Sequence, residues 1–295
     1  MWLLWAAIGY FLNATAIAVD KILLTSKQIK NPAVYTVMIS ILGLFVLVLT
    51  PFGLEFVSIP VLLVGLVSGA IFTVGLWLMF TILKTAEASR VPALIGSWSP
   101  LFVLILAFIS LGERLSIYEI ASFVLLVLGG LLITQGKSGL KGYNLVLAIG
   151  AAIAFAVSSV LLKFSLEHTN FVSSLIWNRL GASGAGLFLL LLPGVIKELR
   201  NDLSVGHKSF KWIVLGGQTA GALSGLIITY AISLTSVSLV NALQGVQYVF
   251  LLVMAAILSR FHQSLLKEEF SRAVLFQKIQ AMILIGAGLW LLSLG

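Results

Sequence analysis

Arg179 is the residue whose setting is hardest to reconcile with ordinary packing. It stands about eight residues, or ~12 Å of helix rise, inside an apolar run that begins near residue 171. A charge at that depth of a bilayer costs at least ~2.5 to 3.5 kcal/mol on insertion scales, so the guanidinium must face protein, water or a partner. No acid lies at comparable depth in the sequence. Two readings follow: a structural Arg satisfied by helix carbonyls or by Asn178, or a site for an anion. Trp177 beside it reads as packing.

A second group is uncharged. Asn241, Gln244, Gln247 and Tyr248 follow one another at spacings of three, three and one, which keeps them on one helical stripe. Lipid cannot hydrogen-bond an amide, so the stripe must turn inward, at least as interhelical glue worth ~0.6 kcal/mol per bond. Other apolar runs carry Asn13 and Thr15, Ser97, Trp98, Ser99 and Pro100, Ser158 and Ser159, and Gln218, Thr219 and Tyr230. Pro100 frees a carbonyl within its helix and is the expected hinge. Trp77 and Trp98 have the surface to stack on a solute, although core packing or an interfacial belt is the plainer use of a Trp. Asp20 and Lys21 lie close to a helix end and can snorkel.

Enzyme chemistry is not supported. His168, His207 and His262 are scattered in connections, and no paired acids, metal-spaced ligands or nucleophile–base sets occur. Gly112-Glu113-Arg114 sits in a turn too short for a binding loop, and Ser116-x-x-Glu119 after it has capping-box spacing. Glu113 is therefore read as pinning a helix hairpin, through hydrogen bonds or Arg114. Gly181-x-x-Gly184-x-Gly186 and the Gly216-Gly217 to Gly225 stretch lie within apolar runs with no preceding strand, so they are helix-packing glycines rather than phosphate loops. No cofactor is expected, and the absence of cysteine excludes disulfides and thiolate metal sites.

The elements that must position these residues follow from composition. Of 295 residues 60% are hydrophobic and 9% charged, against roughly 25% charged in a soluble domain. Apolar runs of about 18 to 23 residues recur along the chain, each long enough to cross ~30 Å of hydrocarbon. The expected fold is an all-α membrane protein with ten transmembrane helices near 2-24, 33-50, 61-83, 91-111, 116-135, 144-164, 171-192, 212-234, 237-259 and 274-294. The first is read as a mature helix rather than a signal peptide, having no charged leader and too long a core. Phe261, Leu265, Leu266 and Phe270 among Lys267, Glu268, Glu269 and Arg272 suit a short helix lying in the interface. The net charge of +8 is spread over connections without aromatic interleaving, which reads as topology and not nucleic-acid binding.

The chain also repeats. Val91, Ala93, Leu94 and Gly96 recur as Val240, Ala242, Leu243 and Gly245 at an offset of 149 residues, and Ala7-Ile8-Gly9 recurs as Ala148-Ile149-Gly150. Two five-helix halves result, residues 1-135 and 144-295, joined by a polar linker at 136-143. An odd number of spans in each half inverts the second relative to the first, a recurring plan of secondary transporters. Of the 18 Lys and Arg residues, 15 fall in the odd-numbered connections or at the helix ends bordering them. The positive-inside rule then puts those connections in the cytoplasm and both termini outside.

Glu87-Ala88-Ser89-Arg90-Val91, Pro100, and Leu111-Gly112-Glu113-Arg114-Leu115 leading into the Gly129-Gly130 helix resemble the repeated domain of EamA-like members of the drug/metabolite transporter superfamily. The second half is more degenerate, with Ser259-Arg260-Phe261-His262-Gln263 in place of the Gly-Glu-Arg-Leu turn. The resemblance implies export or exchange of amino acids, metabolites or drugs by alternating access, in a multi-pass protein of the inner cell membrane. It implies a cavity lined by helices one, three, four, six, eight and nine, which favours the amide stripe as a polar wall and Asp20 as the carboxylate of any transport cycle. It also implies cytoplasmic termini, against the charge distribution. Related four-helix multidrug proteins carry a membrane-buried Glu in their first helix; Asn13 and Thr15 stand there instead, so the expected solute is neutral, zwitterionic or anionic. The expected partners are a small solute and the bilayer, with a proton as an open coupling ion. A membrane enzyme acting on lipid-linked substrates, and a channel or scaffold, are the alternative functions.

Overall fold

A computed structural model gives the architecture; it describes residues 1–25, 31–84, 90–134, 142–205, 208–261 and 272–292. Residues 262–271 of the proposed interfacial helix, Glu87-Ala88-Ser89, and most of the 136-143 linker lie outside that set, as do His207 and His262. Every regular element among the described residues is helical.

The first half comprises α1 (Trp2–Thr25), α2 (Pro32–Leu42) continuing as a 3₁₀ segment (Gly43–Phe52), α3 (Ile59–Leu83), α4 (Arg90–Ser110) and α5 (Ile117–Thr134). The second comprises α6 (Tyr143–His168), α7 (Phe171–Phe188), α8 (Val195–Val205), α9 (Lys208–Leu234), α10 (Val237–Ala242), α11 (Gln244–Phe261) and α12 (Arg272–Leu292). Six spans are long and apolar enough to cross a bilayer on their own: Trp2–Leu24, Pro32–Phe52, Ile59–Leu83, Tyr143–His168, Phe171–Leu191 and Leu215–Leu234. Leu94–Ser110, Ile117–Leu132, Val237–Leu251 and Phe276–Leu292 are shorter apolar helices. Large apolar side chains such as Phe45, Phe56, Phe188 and Trp290 face outward, which in water would be unsustainable and in lipid is the favoured arrangement.

The starts of the helices are set by local chemistry. Asn31 caps α2, its side chain accepting from the Ala33 amide at 2.9 Å, with Pro32 in the first turn where a missing N–H costs nothing. Asn170 caps α7 in the same way, accepting from the Ser173 amide at 2.8 Å. The Ser116–Glu119 capping box forms as its spacing requires: the Ser116 amide donates to Glu119 at 2.7 Å and the Glu119 amide to Ser116 Oγ at 3.3 Å.

Close packing runs through glycine. A Cβ at Gly69 would lie 1.7 Å from the Asn178 carbonyl oxygen, and one at Gly181 would lie 1.9 Å from that of Leu66. The backbones of α3 and α7 therefore touch at two places, the small-residue packing that replaces the hydrophobic effect between helices in lipid. Thr73 donates to the Ala182 carbonyl at 2.9 Å and Asn178 donates to Ser68 Oγ at 2.9 Å across the same interface. Along the chain, α1 packs on α9, α6 on α3, and α5 on α12.

Two elements differ from the sequence expectation. Residues 193-211, expected as a plain connection, contain α8. Val195 and Leu199 are four apart and join Ala33, Val34 and Val37 of α2 in one apolar cluster, while Gly194 at φ +84 makes the turn that admits the helix. The expected helix at 237-259 is divided at Leu243 into α10 and α11. The interruption lies where Gln244 and Tyr248 crowd Gly96 of α4: a Cβ there would sit 1.5 Å from the Tyr248 hydroxyl oxygen. By contrast α4, where the hinge was expected, runs through Pro100 as one helix.

Candidate functional site

Three polar loci lie among the helices. The first joins α1, α4 and α11. Asn13 donates through Nδ2 to Gln247 Oε1 at 2.8 Å, fixing one amide dipole of a side chain that is wholly buried. Gln247 Nε2, the Tyr248 hydroxyl and Ser99 Oγ are buried without a hydrogen-bond partner among the described residues. Each such group forfeits ~1–3 kcal/mol unless something pairs with it. Gln244 sits against Gly96 beside them. The stripe read from spacing thus gathers in part, with Gln244, Gln247 and Tyr248 near Ser99 and Asn13. Asn241 instead folds back on its own helix, donating to the Val237 carbonyl at 2.9 Å.

The second locus joins α1, α2 and α9. Tyr35 donates its hydroxyl to Asp20 Oδ1 at 2.5 Å, and Gln218 Nε2 donates to the Tyr35 hydroxyl oxygen at 2.9 Å. Asp20 is 6% exposed and Tyr35 fully buried. Lys21, the next residue, turns to the C-terminus of α3 and donates to the Leu83 carbonyl at 2.9 Å. These residues do not snorkel to water; they are satisfied inside the bundle. Tyr35 escaped the sequence reading because a Tyr in an apolar run has no spacing partner nearby in sequence, and its acid is 15 residues away on another helix.

The third locus is Arg179. Its guanidinium carbon lies 5.6 Å from the centroid of the Phe72 ring, within cation–π range. It reaches from α7 to α9, where a Cβ at Gly225 would stand 2.4 Å from Nη2. Ser40 and Gly43 of the second span, Phe72 and Thr73 of α3, and Ala182 of α7 line a small cavity with it. That cavity is narrow, with room for little more than one water molecule. Phe72 was not singled out from sequence, because an aromatic in an apolar run carries no signal of the cation opposite it.

The remaining candidates are placed otherwise. Ser158 accepts from Ser68 through its carbonyl at 2.8 Å, so it joins α6 to α3. Ser159 is half-buried. Thr15 donates to the Phe11 carbonyl of its own helix at 3.1 Å. Thr219 is exposed and does the same with Leu215. Trp77 packs on the Ala33–Val34–Val37 cluster. Trp98 is 37% exposed and stacks on Phe102. Tyr230 is 38% exposed and meets Trp5 and Phe171 edge-on, an aromatic cluster of the kind found at interfaces. Glu113 does pin helices, but through α10 and not Arg114: its carboxylate accepts from the Val237 amide at 2.8 Å, the Ser238 amide at 3.3 Å and the Ser238 hydroxyl. Among the described residues no group of three or more His, Cys, Asp or Glu is arranged to hold a metal ion.

Residues 1–135 match the model of the EamA-like transporter family. No curated protein matches the chain. A solved structure titled only "Crystal structure of protein" aligns over 97% of both chains with a TM-score of 0.66 at 19% identity, so the whole chain shares its fold.

Proposed function

We propose, from an EamA-like first half, that the chain is a secondary active transporter, an exporter or exchanger, that moves small polar organic metabolites, amino acids among them, by alternating access. Its two halves, 1-135 and 144-295, are inverted five-helix repeats in the cell membrane, each repeat contributing helices to a shared path.

The observation that carries this reading is a paired set of contacts. Lys21, near the end of the first helix of its half, donates to the Leu83 carbonyl at the C-terminus of α3. Lys163, near the end of the first helix of the second half, donates to the Ile232 and Thr235 carbonyls at the C-terminus of α9, at 3.2 and 2.9 Å. A cation at a helix C-terminus answers the free carbonyls and the negative end of the dipole. If α1 corresponds to α6 and α3 to α9, the two contacts are one contact used twice. The same correspondence relates the packing of α1 on α9 to that of α6 on α3, and of α4 on α6 to that of α11 on α1.

The equivalence is incomplete: α3 packs along α7, whereas α2 and α9 do not pack along each other among the described residues. An inward- or outward-facing state of an alternating-access cycle has such an imbalance, because one of the two crevices related by the repeat is closed while the other is open. The Gln218–Tyr35 hydrogen bond spans α9 and α2 at one end of the looser crevice.

Solute counterflow tests the proposal. Liposomes containing the purified protein, loaded with an unlabelled amino-acid mixture, accumulate external labelled solute transiently above equilibrium if the protein is an exchanger. Monotonic equilibration without overshoot identifies a channel. Folded protein that moves none of a broad panel of small polar metabolites overturns transport.

A further inference from the structure

We infer that the Arg179 cavity is a binding site for the carboxylate of a small organic solute. The inference rests on the transporter reading for its physiological meaning, though not for its geometry. Arg179 carries five N–H donors in a rigid fork and cannot shed its charge. Among the described residues nothing accepts from those donors: the guanidinium lies over the Phe72 ring, with Nη2 2.4 Å from where a Cβ at Gly225 would stand. Asp20, the acid set within a membrane-spanning helix, is committed to Tyr35 and Gln218. The Arg179 side chain is half-buried, so its unspent donors are within reach of an entering anion, and a cation at membrane depth favours one.

The rest of the cavity agrees. Ser40 lines the same cavity, and its buried hydroxyl, which has no hydrogen-bond partner among the described residues, stands against Gly186 of α7. Gly225 matters because any side chain there would collide with Nη2, which would push the fork out of its pose. Phe72 supports the back of the cation and excludes water from it.

The charge count selects among anions. One guanidinium with one hydroxyl compensates one negative charge, and two coplanar N–H groups match the two oxygens of a carboxylate. A phosphate dianion would leave a charge uncompensated among apolar walls, and no second Lys or Arg lines the cavity. The cavity has room for little more than a water, so it admits the carboxylate group alone and fits the carboxylate end of a solute whose remainder lies outside it.

Methylglyoxal, a small arginine reagent, tests the site on the full-length wild-type protein in detergent, with adducts quantified at each Arg by peptide mass spectrometry. Acetate is the probe and neutral acetamide its control, both at constant ionic strength and pH. The expected result is that Arg179 reacts, that acetate slows it saturably, by about threefold at twice its Kd, and that acetamide does not. Exposed Arg114 must be unaffected by either. Equal rates with acetate and acetamide overturn the proposal. So does an Arg179 that never reacts while Arg114 does, since a sealed guanidinium receives no solute. Failure of counterflow alongside acetate protection would sink the transporter reading and leave the anion site standing.

Discussion

Glu113 accepts a hydrogen bond from the backbone amide of Val237 at 2.8 Å, tying the turn between α4 and α5 to the first turn of α10 across 124 residues of sequence. The same carboxylate takes the Ser238 amide and hydroxyl, so one side chain answers three donors at a helix start where four amides lack intrahelical partners. Glu119, also in the α4–α5 region, is engaged only with its own capping box at an exposed site.

The contrast predicts unequal costs. Glu113→Ala strands partly buried amides and a hydroxyl and should cost ~1.5–3 kcal/mol or more, whereas Glu119→Ala should cost about 1 kcal/mol or less. Thermal unfolding of the two variants in detergent checks this, with Glu113→Gln falling between. Equal melting temperatures would mean that the α4–α5 turn does not hold α10.

Backbone contact between α3 and α7 makes a second prediction. Gly181→Val places branched carbons where the Leu66 carbonyl already lies, and no rotamer relieves a clash at Cβ itself. The helices must separate, giving up their hydrogen bonds from Thr73 and Asn178, at a cost of several kcal/mol. Gly184→Ala, where a Cβ meets nothing within 4 Å, should be tolerated. Size-exclusion profiles of the two proteins compare them directly: a monodisperse Gly181→Val protein would contradict the packing.

How much of this was legible in sequence depended on whether the signal was local. Apolar run length made the all-helical, membrane-spanning character legible, since each run reports its own solubility in lipid without reference to others; of the ten runs expected, six form helices long and apolar enough to cross a bilayer among the described residues. The Ser116–Glu119 box was legible because its partners are three residues apart. Arg179 stood out because a charge at depth is costly wherever it points. What it points at was not legible: Phe72, Ser40 and Gly225 come from three other helices, and apolar or small residues look alike in any of them. α8 was missed because its apolar face needs α2 to be meaningful, and the break at Leu243 because it answers a glycine in α4. Pro100 removes one hydrogen bond, and α4 continues through it as one helix.

The Asp20–Tyr35–Gln218 locus gives a third prediction. Tyr35→Phe removes the donor to Asp20 and should destabilise by ~1–3 kcal/mol, the range for a buried polar group left without its partner. In an Asp20→Asn background the same change should cost ~1 kcal/mol less, because the neutral amide can rotate to other partners. A double-mutant cycle by thermal unfolding reads the coupling. Additive effects would mean that the two side chains are neighbours without energetic dependence.

Orientation in the membrane gives the last prediction. Fifteen of the 18 Lys and Arg residues fall in odd-numbered connections or at the helix ends bordering them, and such charges are retained on the cytoplasmic side during insertion. One of the exceptions is now explained without topology. Lys163 serves the C-terminus of α9 and pairs with Glu167 at 3.6 Å, so it counts as a helix cap and not as a retained loop charge. Lys21, on the other side of the tally, is likewise committed to the Leu83 carbonyl; the bias survives the removal of both. A reporter active only in the cytoplasm and fused after Gly295 should therefore be inactive, while the same reporter inserted in the connection between α5 and α6 should be active. The reverse pattern would place the termini inside, as the EamA resemblance implies, and would mean that the basic connections are held on the outer face by their contacts with helix ends.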